Sequence, residues 1–247
     1  MRLFILLCAF LFAGPATNAQ FTFQGKIEYE RKMNVHRTID GMDEDDKSWA
    51  EKFRSTLPKF HTSYFDLYFS PGKTLYKPGR EVEDNPKMWF ATPPDIESII
   101  YTDTKAGSVK ANRKIYEEKF LVQDSMRKLK WKIHNEIRTI ANYKCRKAVS
   151  KICDSVYVVA FYTEDIPVSG GPEMFSGLPG MVLEVAIPRL YTTWVATKVD
   201  MITPKTEDFA VTDKGKKVNM SELHETVYSS LKRWGKSSQR YVWWSVL

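Results

Sequence analysis

Cysteine is almost missing from this chain. Three stand in 247 residues, too few for the disulfide-stapled folds of small secreted scaffolds. Histidine is nearly as scarce. His36, His61, His134 and His224 never come within 24 residues of one another, and none sits in an HExxH or HxH spacing, so no local zinc motif is present. There is no Walker loop, no dinucleotide fingerprint and no Gly-x-Ser-x-Gly elbow. There is no internal repeat. Beyond the first nineteen residues, no apolar run nears the roughly 20 residues of a membrane-spanning helix. These gaps remove the usual signatures of zinc enzymes, nucleotide enzymes, α/β-hydrolases and helical membrane proteins. The sequence predicts no cofactor, no metal and no catalytic residue.

What is present is ordinary globular composition: 43% hydrophobic and 27% charged residues, with a formal net charge of +7. The aromatic share of 13% suits a strand-rich protein.

The N-terminus has a three-part layout. Arg2 precedes an apolar run from Leu3 to Ala13, Gly14 and Pro15 break it, and Ala16-Thr17-Asn18-Ala19 offers small residues at a cleavage site. This reads as a cleaved secretory signal peptide over 1–19. The run is too short for a membrane anchor. Residues 20–247 then form one α+β domain of net charge +6, with Gln20 able to cyclise and Cys145 and Cys153 remaining. A periplasmic or cell-envelope location follows, which argues against nucleic acid as the partner of the positive charge.

Alternating polar and apolar residues predict strands. They run over 24–33, 64–69, 74–77, 99–103, 108–116, 120–122, 131–140, 143–152, 156–163, 182–187 and 192–200, with hairpin turns at Ser70-Pro71-Gly72-Lys73 and Lys105-Ala106-Gly107. Trp49, Phe53 and Leu57 recur every fourth residue behind the acids Asp43 to Asp46, predicting an amphipathic helix over about 43–57 that Pro58 ends. A second helix opens near Ser221, taken as its N-cap, carries Leu223, Val227 and Leu231 on one face and stops by Gly235. Residues 78–98 are proline-rich and read as an irregular excursion. The fold expected is strand-dominated α+β: a curved antiparallel sheet, an open half-barrel, with the 43–57 helix on its concave face and a C-terminal helix. An outer-membrane barrel suits less well. The face carrying Trp131, Ile133 and Ile137 also carries Asn135, Lys147 and Lys151.

The densest feature is 166–184. Pro167, Gly170, Gly171, Pro172, Gly177, Leu178, Pro179 and Gly180 fix a specific backbone path there. From Glu164 to Pro188 there are four acids and no lysine or arginine, which disfavours a phosphate cradle. The loop reads as a shaped crossover between strands, or as a lining for a ligand or peptide. Gly177-Leu178-Pro179-Gly180-Met181-Val182-Leu183-Glu184 resembles the signature of the GLPGLI family, with Met181 and Val182 in place of the last Leu and Ile. Ala160 to Pro167, Gly171-Pro172, the Trp131 strand and Tyr143-x-Cys145 resemble the same family's neighbouring segments. The resemblance implies an exported protein of Bacteroidota in the periplasm or envelope, and it brings no catalytic residue with it.

Two further features stay open. Cys145 and Cys153 would lie about 26 Å apart on one extended strand at roughly 3.3 Å per residue, so a disulfide between them requires 146–152 to bend into a loop. Thirteen lysines and arginines fall between 110 and 151, either a solvated strand face or a dock for an anionic surface or acidic partner.

The reading that these residues carry best is a non-catalytic exported protein that binds an apolar or peptide ligand, or serves an outer-membrane transport protein. The alternatives are a secreted hydrolase working through Ser169 or the Glu164–Asp165 pair, and a structural envelope subunit.

Overall fold

The computed structural model describes residues 23–83, 85, 88, 90–93, 95–115, 117–153, 155–233 and 238–247. The stretch read as a signal peptide, Gln20 and Gly235 lie outside the described residues.

The described strands, in chain order, are β1 Gly25–Asn34, β2 Phe60–Ser70, β3 Lys73–Pro78, β4 Ile99–Asp103, β5 Ser108–Ile115, β6 Glu118–Ser125, β7 Lys132–Ile140, β8 Tyr143–Ile152, β9 Val156–Thr163, β10 Met181–Ile187, β11 Thr192–Asp200 and β12 Lys216–Val218. The helices are α1 Val35–Asp40, α2 Glu44–Glu51, α3 Met220–Leu231 and α4 Ser238–Ser245. All twelve strands join one open sheet in the order β12-β6-β5-β4-β3-β2-β1-β11-β10-β9-β8-β7. The fold is a strand-dominated α+β architecture on a single large sheet.

The sheet is mixed, where a purely antiparallel one was expected. β12 runs parallel to β6. Three residues, Lys216-Lys217-Val218, are too few to show a period of two. The chain reaches the far edge from β11 by a long crossover, which is what a parallel pair requires.

β1 lies inside the sheet, between β2 and β11. Its pleat buries every second residue: Gly25, Ile27, Tyr29, Arg31 and Met33 point inward, while Glu28, Glu30 and Lys32 stay part-exposed. β5 repeats the pattern with Val109, Ala111, Arg113 and Ile115. Each strand thus carries one arginine on its apolar face. At the other end the sheet bends. β7 is four places from β11, about 19 Å in a flat sheet, yet Cα atoms of the two strands approach within 8 Å. Register irregularities at Glu28/Tyr29, Ile133/Ile137 and Val182/Glu184 supply local twist.

The helices differ from expectation. α2 covers only part of 43–57 and buries only Ala50, leaving Trp49 43% exposed. Acids in its first turn favour its start. Beyond Glu51 the bonds shorten to a three-residue spacing: Phe53 N–H to Ala50 C=O, Arg54 N–H to Glu51 C=O, Thr56 N–H to Phe53 C=O. Leu57 N–H returns to a four-residue spacing, bonding to the Phe53 C=O. Trp49 meets Phe53, its neighbour on the expected stripe, and the edge of Phe90, while it stays on the exposed side of the helix. The helix that reaches the inner face of β1 and β11 is α4, whose buried Trp244 packs on Trp194 with ring centroids 5.8 Å apart. α1 follows β1 without a break, capped by the Asn34 side chain on the Arg37 N–H. α3 starts just before its expected cap. Asn219 accepts the Glu222 N–H, and Glu222 returns the bond to Asn219 N–H, a reciprocal capping box.

Candidate functional site

The crossover from β9 to β10 is built on close backbone approach. A Cβ on Gly180 would stand 2.0 Å from the Thr163 carbonyl oxygen, and one on Gly171 would stand 2.7 Å from Val182 Cβ. Ser169 Oγ accepts the Gly177 N–H at 2.9 Å, and Trp131 Nε1 donates to the Ser176 carbonyl at 2.9 Å. Ser169 therefore braces the turn. Gly170, Gly171, Pro172, Leu178 and Gly180 are buried, whereas Pro167, Gly177 and Pro179 face solvent. Glu164 and Asp165, the carboxylates of the hydrolase alternative, are both exposed.

One residue of this crossover is exceptional. Glu173 adopts φ +54°, a left-handed conformation that costs a non-glycine residue about 1–2 kcal/mol. It is also fully buried. The constrained loop holds a strained carboxyl inside the protein, where burying a charge is costly unless partners receive it.

Two arginines do so. Arg31 of β1 and Arg113 of β5 converge on Glu173, with Arg31 Nη1 3.9 Å from Glu173 Oε1 and Arg113 Nη2 3.9 Å from Glu173 Oε2. Arg31 Nη1 also donates to Asp95 Oδ1 at 2.9 Å, and its guanidinium stacks 4.5 Å from the Phe65 ring with Trp194 and Trp244 beside it. All four charged residues are at most 2% exposed. Burial and the neighbouring Asp95 charge push Glu173 up to about 8. Near neutral pH it is therefore a neutral acid beside Asp95. Burial, then the Arg31 charge, push His61 down to about 4. Tyr76, whose hydroxyl accepts from Trp194 Nε1 at 3.1 Å, is held well above its ordinary range by burial.

Hydrogen bonding in the cluster is incomplete. Arg31 Nε and Nη2 and all three Arg113 nitrogens have no hydrogen-bond partner among the described residues, while the protonated Glu173 carboxyl is paired with Asp95. Buried guanidinium nitrogens are normally paired.

Against β2, the strand next to that of Arg31, lies a cavity of about 610 Å³. His61, Ser63 and Phe65 of β2 form one wall, Val82, Pro93 and Ile96 of the 79–97 excursion another, and Tyr241 of α4 closes it in part. Most of its lining area is apolar, and the charged residues Arg80, Glu81, Glu83, Glu97 and Lys114 also line it. Phe65 turns one face to Arg31, and Ser63 is the register partner of Arg31 on β1. Asp95 sits between the lining residues Pro93 and Ile96. A second cavity of about 360 Å³ includes Met174 and Arg127 in its wall. Volumes of this order fit small-molecule sites.

The remaining candidates do not gather here. Cys145 is buried on β8, with its thiol pushed up to about 12 by burial, and Cys153 is exposed in the β8–β9 turn. They form no disulfide with each other, because 146–152 is the extended strand that holds them apart. The basic stretch is no single face. Arg113 and Arg127 turn inward, while Lys110, Lys114, Arg138 and Lys147 pair with Asp213, Glu97, Glu184 and Glu136. Among the described residues no three His, Cys, Asp or Glu side chains gather in a metal-holding group, and no helix is long and apolar enough to cross a membrane.

An open, mixed, strand-dominated sheet with a buried arginine–carboxyl cluster and a cavity against β2 defines this molecule structurally. Residues 149–184, which hold the end of β8, β9, the crossover and the start of β10, match a family described as "Protein of unknown function (Porph_ging)". Among solved structures, the chain resembles PNGF-II in its P21 crystal form at 18% identity and a TM-score of 0.54, over 84% of this chain and 33% of that one. The C2 form gives 17% identity and 0.51, over 90% and 33%. The chain spans about a third of the length of PNGF-II, and at this identity the likeness is one of fold. No curated protein matches.

Proposed function

We propose that this chain is an exported, non-catalytic binding protein of the cell envelope, and that the 610 Å³ cavity receives an apolar or peptide ligand. The observation that carries the reading is the cavity itself. A space of mostly apolar lining area has one wall from β2 and another from Val82, Pro93 and Ile96, with Arg80, Glu81, Glu83, Glu97 and Lys114 among its charged lining residues. Ligand sites are commonly built on such a frame, with few polar groups set in apolar walls.

Support for export comes from the N-terminal layout of residues 1–19 and from the resemblance of 177–184 to the GLPGLI signature. The close approach of β7 to β11 supports an open half-barrel, which α4 covers on the inside. Service to an outer-membrane transport protein belongs to the same reading, with the ligand handed between the two. Ser169, engaged in bracing its own loop, gives little support to a hydrolase.

Native mass spectrometry of the chain purified from envelopes tests the proposal. A bound small molecule at one per chain, released on denaturation and extracted into organic solvent, is the expected result. A chain that carries nothing and takes up no apolar compound overturns it.

A further inference from the structure

A third cavity, of about 300 Å³, also borders α4. Gln239, Arg240 and Trp243 of that helix form one wall. Arg189 and Tyr191, from the turn that joins β10 to β11, form another, and Gly41, the residue after α1, adds a third side. This space shares no lining residue with the cavity beside β2, to which α4 lends Tyr241.

The charge of this lining is all of one sign. Arg189 and Arg240 contribute to it, and no aspartate or glutamate does. A guanidinium keeps its charge throughout the physiological pH range. Arg240 donates to the Thr38 carbonyl at 3.3 Å and to the Tyr241 hydroxyl at 3.5 Å, both neutral acceptors. The Arg189 guanidinium lies 5.4 Å from the Trp243 ring centroid, against a π face and not an acid. Among the described residues neither arginine has an ion pair, whereas Arg54, Arg80 and Arg138 each hold a carboxylate. Asp40, which precedes Gly41, is taken by Arg54. Arg240 also stands in the first turn of α4, where a cation opposes the helix dipole. Like charges gathered around one concavity raise its positive potential. The remaining polar groups of the lining, the Gln239 amide, the Tyr191 hydroxyl and the Trp243 ring N–H, can all donate.

The lining is also held in place. Tyr191 adopts φ +51°, a left-handed backbone that strains a bulky residue. Its N–H bonds to the Pro188 carbonyl at 3.0 Å and its carbonyl takes the Asn34 N–H at 2.8 Å, which fixes the turn that carries Arg189. A Cβ on Gly41 would stand 3.0 Å from the Tyr191 hydroxyl, so glycine leaves room for the phenol there. We infer that this cavity is a second binding site and that it takes a small organic oxyanion. The carboxylate or phosphate group bonds to Arg189 and Arg240, while a flat apolar body rests against Trp243 and Tyr191. The inference is independent of the role proposed for the cavity beside β2.

Isothermal titration calorimetry of the folded chain at low salt tests it. Benzoate and phenyl phosphate are the probes, with benzamide as the neutral counterpart and inorganic phosphate as the bare anion. One-to-one binding of benzoate or phenyl phosphate is expected, about tenfold or more tighter than that of benzamide, and the stronger of the two names the oxyanion. Arg189→Gln and Arg240→Gln each weaken that binding about tenfold or more. Arg189 is exposed, so its variant serves should Arg240→Gln fail to fold. Lys151→Gln, which removes an exposed cation of β8, leaves binding unchanged. Inorganic phosphate binding as tightly as phenyl phosphate keeps the arginine pair and overturns the aromatic part. Equal binding of the acids and benzamide overturns the site, as does acid binding that survives both arginine substitutions or falls equally in Lys151→Gln. Binding of none of the probes overturns it as well and leaves the reading of the cavity beside β2 standing.

Discussion

Glu173 and Arg113 face each other 3.9 Å apart, both wholly shut off from solvent, with no direct hydrogen bond between them. One comes from a strained position in a glycine-rich crossover, the other from the apolar face of β5. An arrangement so costly to bury implies measurable consequences for pH and for stability.

The first concerns pH. Glu173 has a folded pKa of about 8, raised from 4.5, so the folded state holds a proton that the unfolded state releases. Stability from this group is full below the unfolded value and is lost as pH rises toward the folded one. His61 acts oppositely. Pushed down to about 4 from 6.5, it contributes stability above its unfolded value that is lost as pH falls through its folded one. Above about pH 6.5 only the Glu173 effect remains. Melting temperature should therefore decline between about pH 6.5 and 8 in the parent chain and stay level in Glu173→Gln. A parallel decline in both chains would show that another group titrates.

A second expectation concerns the latch between β1 and the 79–97 excursion. Asp95→Ala leaves Arg31 buried without its ionic partner, which should cost about 3–5 kcal/mol in denaturant unfolding. Asp95→Ala combined with Arg31→Met should recover part of that loss, since the uncompensated charge is then gone. Two losses that simply add would mean that the pair is not coupled.

Glycine positions offer a third check. Gly180→Ala places a methyl group 2.0 Å from the Thr163 carbonyl oxygen, and overpacking of that kind should cost about 3 kcal/mol or more. Gly107 at φ +66° has open space around it, so Gly107→Ala should cost only the left-handed backbone strain, about 1–2 kcal/mol. The reverse order would contradict the close approach of the crossover to β9.

Thiol chemistry supplies the fourth. Cys153 is exposed, while the Cys145 thiol is buried and pushed up to about 12. Of Cys145 and Cys153, a maleimide should label only Cys153 in the native chain at neutral pH and both after denaturation without reductant. Failure to label either one under denaturing conditions would reveal a bridge.

Much of this fold can be read from residue order. The alternation in Lys26-Ile27-Glu28-Tyr29-Glu30-Arg31 announces β1, and the hairpins at Gly72 and Gly107 appear as turn signals. Short or tightly wound pieces are harder. β12 has three residues, and α2 gives way to three-residue turns that no four-residue spacing foretells. The site was hidden for another reason. Arg31 and Arg113 carry a visible mark, an arginine on the apolar phase of an alternating strand, which is a local signal. Their meeting with Glu173 is not local, because β1 and β5 stand four places apart in the sheet and the crossover arrives from its other half. Only tertiary packing sets that contact.

The proposed binding role turns on the space beside β2 being a ligand site. Saturation binding of an apolar fluorescent probe to the parent chain and to Ile96→Trp, which fills the cavity from its wall, decides the matter. Saturable binding at one probe per chain is expected, weakened about tenfold or more in Ile96→Trp at unchanged stability. Probe binding that is absent, or equal in the two proteins, would contradict it.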